Sequence, residues 1–326
     1  MHHVAETLVV DVPARLPFDL DMALRYLRLS PSTIAERVEI ERFERAVWLY
    51  GRPALVRVAP SGRAEHVRAS LHVAAIAPGD DDALRRLVTH VFGLAEDVAG
   101  LDEVAVADPT FGRLVARYRG VRPVLIADPL EALAWAIIGQ QINVAFAAKL
   151  KRVLIERFGE RLVCDGREYP LFPRADTLAA LGPDDLRPLQ FSRQKIDYVV
   201  GSAAAVAGGA LDLAALADLP TAESLGVLTR LRGVGRWTAE YVLLRGAGHR
   251  DVIPAADGGL RRIIGQAYGL GRLASEVEVR ALAERWAGWR SYAAFYWWFA
   301  LQEQMAAARA GRAGAARPTS RAAKGR

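Results

Sequence analysis

A chain of 326 residues with 52% hydrophobic side chains can bury a substantial core, and its length points to two domains. The single cysteine, Cys164, excludes an internal disulfide and the four-thiolate cage of an iron–sulfur cluster, and six scattered histidines offer no zinc-ligand spacing. The net charge of +6 arises in residues 305–326, where Arg309, Arg312, Arg317, Arg321, Lys324 and Arg326 meet no acid, so bulk charge does not by itself identify a nucleic-acid binder.

The opening residues, MHHVAETLVVDV, lack the basic start and apolar core of a signal peptide, and no run of about twenty apolar residues is free of charge, so a cytoplasmic protein without a membrane partner is expected. From Thr7 to Gly93, strand-like runs (TLVVDV, ERVEIERFER, RAVWLYG, PALVRVA, HVRASLHVA) surround one helix-like run, DLDMALRYLRL. Asp80 to Asp82 offer an N-cap for the amphipathic ALRRLVTHVFGL. Residues 1–105 therefore read as a small N-terminal α/β domain built on an antiparallel sheet. Residues 106–304 show helical periodicity broken by turn signals and read as an all-α bundle, with residues 159–173, GERLVCDGREYPLFP, as its longest irregular connection. Residues 305–326 read as a basic disordered tail that adds salt-sensitive attraction to phosphates or merely solubility. The fold class is α+β.

Residues 221–264 divide into helix, glycine hairpin, helix, loop and helix. Thr221 with Glu223 caps the first helix, Gly233 and Gly235 permit a tight turn, and helical spacing resumes from Trp237 to Arg245 with Trp237, Tyr241 and Leu244 on one face. Backbone amides around Gly233, Val234, Gly235, Arg236 and Thr238 can hold a DNA phosphate without reading sequence, because the donors are main-chain groups and a helix N-terminus favours an anion. An ordinary αα-hairpin carries the same glycines, so this segment alone leaves both readings open.

Leu231, Gly233, Val234, Gly235, Thr238 and Ala239 fit the pattern L-x-G-V-G-x-x-T-A, and Asp257 stands immediately before the helix GLRRIIGQAYGL. With these residues the chain resembles the helix–hairpin–helix DNA glycosylase superfamily and, within it, the DNA-3-methyladenine glycosylase II family, over most of residues 15–304. The resemblance implies a helical bundle containing the hairpin and removal of alkylated purines, 3-methyladenine and 7-methylguanine, from double-stranded DNA as the opening step of base excision repair; a monomer is expected, though the residues leave the oligomeric state open. It makes Asp257 the catalytic carboxylate; a plain helix cap is the alternative for that residue. Ala256 removes the second acid that some relatives have there, and Asp251 is a minor alternative, read as a loop or structural hydrogen-bonding residue.

Bifunctional members of that superfamily place a Schiff-base lysine where this chain has Trp237, so hydrolysis ending at an abasic site is expected. Trp237, Tyr241 and Trp289 match pocket positions where aromatic faces attract a flipped cationic base, while Phe295, Trp297 and Trp298 read as core. Gln141 matches the wedge that fills the vacated stack, with Gln140 a weaker candidate. The resemblance requires no cofactor but implies a Na+ or K+ ion on the carbonyls of Thr229, Leu231 and Val234. Two rival readings are a bifunctional oxidised-base glycosylase and a non-enzymatic DNA-binding protein.

Overall fold

The computed structural model describes residues 1–30 and 34–315. After a short strand β1 (His2–His3), strand β2 (Glu6–Pro13) alternates inward Val10 and Val12 with outward Val9. Helix α1 (Leu20–Leu29) follows, its first turn closed by Asp19, whose carboxylate accepts from the Met22 amide at 2.9 Å. Strands β3 (Glu36–Val38), β4 (Phe43–Leu49), β5 (Arg52–Pro60) and β6 (His66–Val73) complete an antiparallel sheet in the order β2-β6-β5-β4-β3. Helix α2 (Asp80–Phe92) then crosses the sheet on β2 and β6.

The cap of α2 differs from the expected one. Gly79, in the left-handed region, occupies the N-cap position, and Asp80 to Asp82 lie in the first turn instead. Asp80 is buried and paired with Arg52, so its carboxylate ties the helix to β5 as well as lying favourably at the helix dipole.

Two short helices, α3 (Leu101–Ala107) and α4 (Pro109–Arg117), lead into α5 (Pro129–Gly139), PLEALAWAIIG, which is apolar on nearly every side and accordingly buried. One carboxylate interrupts that apolar surface: Glu131 pairs with Arg45 of β4 and with Lys151 of α6 (Val144–Phe158). The three side chains are buried, so a sealed ion cluster fastens the sheet to the central helix.

Residues 159–173 do not form the irregular connection expected of an all-α bundle. They make a hairpin of β7 (Arg161–Cys164) and β8 (Arg167–Pro170), with Asp165 at φ 51° and Gly166 at φ 71° forming a turn whose twist suits two antiparallel strands. Strand β1 pairs with β7 in parallel, making a second, three-stranded sheet. Leu162, Cys164, Tyr169 and Leu171 close over Ala46 and Leu55 on the face of the large sheet turned away from the main core. Burial is the leading cause pushing the Cys164 thiol above its ordinary pKa, as suits a packing residue.

Small helices α7 (Ala175–Ala179) and α8 (Pro183–Leu186) precede α9 (Arg193–Ala207), which begins at a Ser192 cap. The remainder comprises α10 (Thr221–Thr229), α11 (Arg236–Val242), α12 (Gly258–Ala267), α13 (Glu276–Ala283) and the long α14 (Arg290–Ala315). Thr221 does not cap α10, where Pro220 holds the cap position; its hydroxyl pairs instead with His249 Nδ1 at 3.0 Å. Helix α14 also continues to Ala315, through residues expected as the start of a disordered tail. The run MAAARAGRAGA is alanine-rich and contains no proline, which favours continuation of an existing helix. The rest of the basic segment, residues 316–326, lies outside the described residues. No helix among those described is long and apolar enough to cross a membrane.

Candidate active site

The hairpin between α10 and α11 is built around Gly233, at φ 85°. A Cβ there would lie 2.2 Å from ring atoms of Tyr198 on α9, so the glycine supplies both a left-handed backbone and the close approach that seats the hairpin on α9. Gly233→Ala should therefore cost about 2–4 kcal/mol of stability; wild-type stability in urea denaturation would contradict this seating. Gln140 braces the opposite side, donating from Nε2 to the Gly233 carbonyl at 2.8 Å and to Thr238 Oγ1 at 3.0 Å. Gln140 is thus a hairpin brace rather than a wedge.

Beyond the brace, Gly235 faces open space, and among the described residues the amides of Gly235, Arg236 and Trp237 donate to no protein acceptor. A phosphate oxygen can approach main-chain donors there unobstructed. The Arg236 guanidinium is exposed and linked to Glu240 at 2.9 Å. The carbonyls of Thr229 and Val234 accept no protein hydrogen bond among the described residues, and that of Leu231 accepts one, from Val234 at 3.1 Å. Such oxygens fit a hard monovalent cation.

Gln141 follows Gln140 at φ 59°, exposed at the tip of the α5–α6 turn. The turn is fixed from below by Lys195, whose ammonium donates to the carbonyls of Ile137, Ile138 and Gln140 at 3.1, 2.6 and 2.8 Å. A cation on the last carbonyls of α5 satisfies acceptors left open by the helix end. Burial lowers the Lys195 pKa.

Along α11, Trp237 and Tyr241 are one helical turn apart, with ring centroids at 6.0 Å. Tyr241 meets Trp298 of α14 at 5.7 Å, and Trp298 Nε1 donates to Asp257 Oδ1 at 3.0 Å. The three rings form a continuous wall ending on the carboxylate. Asp257 caps α12, its Oδ1 also accepting the Leu260 amide at 2.8 Å. Both bonds fall on Oδ1; among the described residues Oδ2 has no hydrogen-bond partner, and neighbouring Gly258 faces open space. Capping thus fixes the carboxylate through one oxygen and leaves the other for chemistry. Burial, before any charge effect, pushes the Tyr241 phenol up to about 12, so it stays neutral at physiological pH.

Trp289 is not part of this wall. It sits just before α14, against Tyr292 and under the Arg250 guanidinium at 4.6 Å. At about 1.5 Å and about 100° per residue, it is displaced from Trp298 by about 13 Å along the helix and about half a turn around it. Trp298, expected to be core, is buried and in addition carries the hydrogen bond to Asp257, while Trp297 packs on Tyr268 and Phe111. Removing only the indole donor in Trp298→Phe should slow base release about 10- to 100-fold, the worth of one hydrogen bond to a charged group. An unchanged single-turnover rate would detach this indole from the carboxylate's work. Asp251 accepts from the Arg290 backbone and guanidinium at 3.3 and 2.7 Å, a structural tie.

The chain contains four lysines, Lys149, Lys151, Lys195 and Lys324. Lys151 belongs to the Glu131 cluster, Lys195 to the end of α5, and Lys149 reaches Gln190 at 3.0 Å on the surface. None of these three stands at the carboxylate, and Lys324 lies outside the described residues.

Residues 134–288 match a family described as HhH-GPD superfamily base excision DNA repair protein. The chain is 29% identical over 303 residues to a DNA-3-methyladenine glycosylase of Bacillus subtilis, covering 92% of this chain and 99% of that protein. It is 34% identical over 195 residues to DNA-3-methyladenine glycosylase 2 of Escherichia coli, covering 60% of this chain and 65% of that one. The structure of a 3-methyladenine DNA-glycosylase from Archaeoglobus fulgidus superimposes with a TM-score of 0.77 at 27% identity, over 91% of this chain and 98% of the other.

Proposed function

We propose that this chain, which belongs to the HhH-GPD superfamily of base excision DNA repair proteins, is a monofunctional DNA glycosylase for alkylated purines. It takes a damaged base out of double-stranded DNA and hydrolyses the bond between base and deoxyribose, leaving an abasic site. The observation that carries the reading is the Asp257 carboxylate held by Leu260 and Trp298 at the end of the Trp237–Tyr241–Trp298 wall.

The chemistry follows from charge. A purine alkylated at a ring nitrogen is cationic, so it stacks favourably on electron-rich ring faces, at about 0.5–2 kcal/mol per good contact. It also leaves readily, because the electron pair of the breaking bond neutralises it. As that pair departs, positive charge grows on the sugar, and the fixed carboxylate of Asp257 stabilises it. Water then adds its oxygen to C1′ and gives its proton to the free carboxylate oxygen or to bulk solvent. An indole at residue 237 cannot supply an amine for a Schiff base, and Lys149, Lys151 and Lys195 are occupied elsewhere.

Grip on the DNA is assigned to the hairpin amides, to Gln141 as the wedge entering the vacated stack, and to a Na+ or K+ ion that the Thr229, Leu231 and Val234 carbonyls would hold beside a phosphate. The test is chromatography of free bases released from methylated duplex DNA. Release of 3-methyladenine and 7-methylguanine is expected; no release of any alkylated purine would overturn the proposal.

A further inference from the structure

Helix α14 does not stop where its work in the pocket ends. Three residues beyond Trp298, Leu301 packs on α12, so close that a Cβ at Gly259 would stand 3.0 Å from Leu301 Cδ2. From there α14 continues to Ala315, and a groove of about 440 Å³ opens between it and α12. Its walls include Arg262 and Gln266 of α12 and Gln304, Met305, Arg309 and Arg312 of α14. All six are exposed. Among the described residues none of the three arginines has a carboxylate within ion-pair distance, whereas arginines on the other side of α14 are paired: Glu303 binds Arg25 at 2.6 Å and Arg117 at 2.5 Å.

We propose that this groove is a second DNA-backbone contact, holding phosphates of the duplex that flank the damaged nucleotide. The inference rests on the glycosylase reading of Asp257 and extends it. The groove is built on the same two helices as that site: Asp257 caps the helix that carries Arg262, and α14 supplies both Trp298 and the groove's other wall. Guanidinium groups make forked hydrogen bonds that match phosphate oxygens, and three of them with no carboxylate in ion-pair distance among the described residues favour an anionic partner. The chain beyond the groove adds Arg317, Arg321, Lys324 and Arg326 with no acid, which suits a polyanion longer than a single bound phosphate. The hairpin amides fix the position of the lesion, and the groove lengthens the electrostatic footprint.

The test uses the full chain, wild type and the triple variant Arg262→Ala/Arg309→Ala/Arg312→Ala, with fluorescent duplexes carrying a central tetrahydrofuran abasic analogue. Anisotropy gives Kd across about 50–200 mM salt for a duplex of about 25 base pairs and another of about 10. Each lost phosphate contact removes about 0.9 from the slope of log Kd against log salt, so the variant should lose about 2–3 in slope and bind the long duplex about 10- to 100-fold more weakly. The short duplex should show little difference, and the triple Arg→Lys variant should recover most of the slope. Single-turnover base release at saturating protein should stay within about twofold of wild type, because no groove residue touches the reacting sugar. An unchanged slope on the long duplex would overturn the groove's role, as would an equal loss on the short one. If the wild-type protein released no base at all, the glycosylase reading would fail first, and the slope comparison would still report on the groove.

Discussion

Asp257→Asn is expected to slow base release by about 10³-fold, the scale seen when a charge-stabilising group is removed from a preorganised site, with little change in fold or in affinity for abasic DNA. The substitution is chosen for its geometry. Oδ1 of Asp257 accepts from both Leu260 and Trp298, and an asparagine carbonyl oxygen can accept the same two bonds. Asparagine also caps helices about as well as aspartate. What disappears is the negative charge that the proposed mechanism sets against the sugar, together with the proton acceptor at the second oxygen. Single-turnover release and abasic-DNA binding, measured side by side, separate chemistry from folding. Turnover near the wild-type rate would reduce Asp257 to a helix cap.

The largest loss of stability is expected at Glu131. Arg45, Lys151 and Glu131 are almost wholly buried, and truncation to alanine leaves one guanidinium and one ammonium in a low-dielectric interior, with Glu36 paired to Arg45, Asp128 near it, and the Lys151 ion pair lost. Breaking a buried pair from one side costs about 3–5 kcal/mol. Urea denaturation of Glu131→Ala at neutral pH measures it, and a loss below about 1 kcal/mol would mean the cluster is hydrated.

The cluster also makes stability depend on pH in two opposing ways. Burial acts to raise the Glu131 pKa, but Arg45 and Lys151 outweigh it and hold the carboxyl below its ordinary value, so its contribution is present above about pH 4.5 and lost as pH falls. Asp128, pushed up to about 6 by burial and then by the Glu131 charge, works the other way: its ionisation becomes a cost as pH rises from about 4 through about 6.

Much of this was legible in the residues themselves. The period-two runs before Gly93 are strands, and the hairpin glycines and Asp257 could be placed through the pattern L-x-G-V-G-x-x-T-A. The hairpin at residues 161–170 carries a strong turn signal in Asp165-Gly166, but its two four-residue strands are short beside the helical periodicity on either side, which dominates the pattern. The tie between Trp298 and Asp257 leaves no signal in the sequence for a different reason. Phe295, Trp297 and Trp298 read as core and all three are buried, so their pattern does not single out the one indole that reaches the carboxylate. Trp297 packs on Tyr268, and Trp298 packs on Tyr241 and reaches Asp257. Trp289 drew the pocket assignment by resemblance, whereas its local partners are Arg250 and Tyr292. The ion cluster around Glu131 left no sequence signal, because Arg45, Glu131 and Lys151 come from three elements distant along the chain and meet only after packing.

Incubating the wild-type protein with a duplex bearing one alkylated purine, with and without borohydride, tests hydrolysis by carboxylate and water most directly. The prediction is free base, a strand that stays whole until hot alkali is added, and no protein–DNA adduct. A borohydride-trapped covalent complex would reveal an amine nucleophile and contradict it.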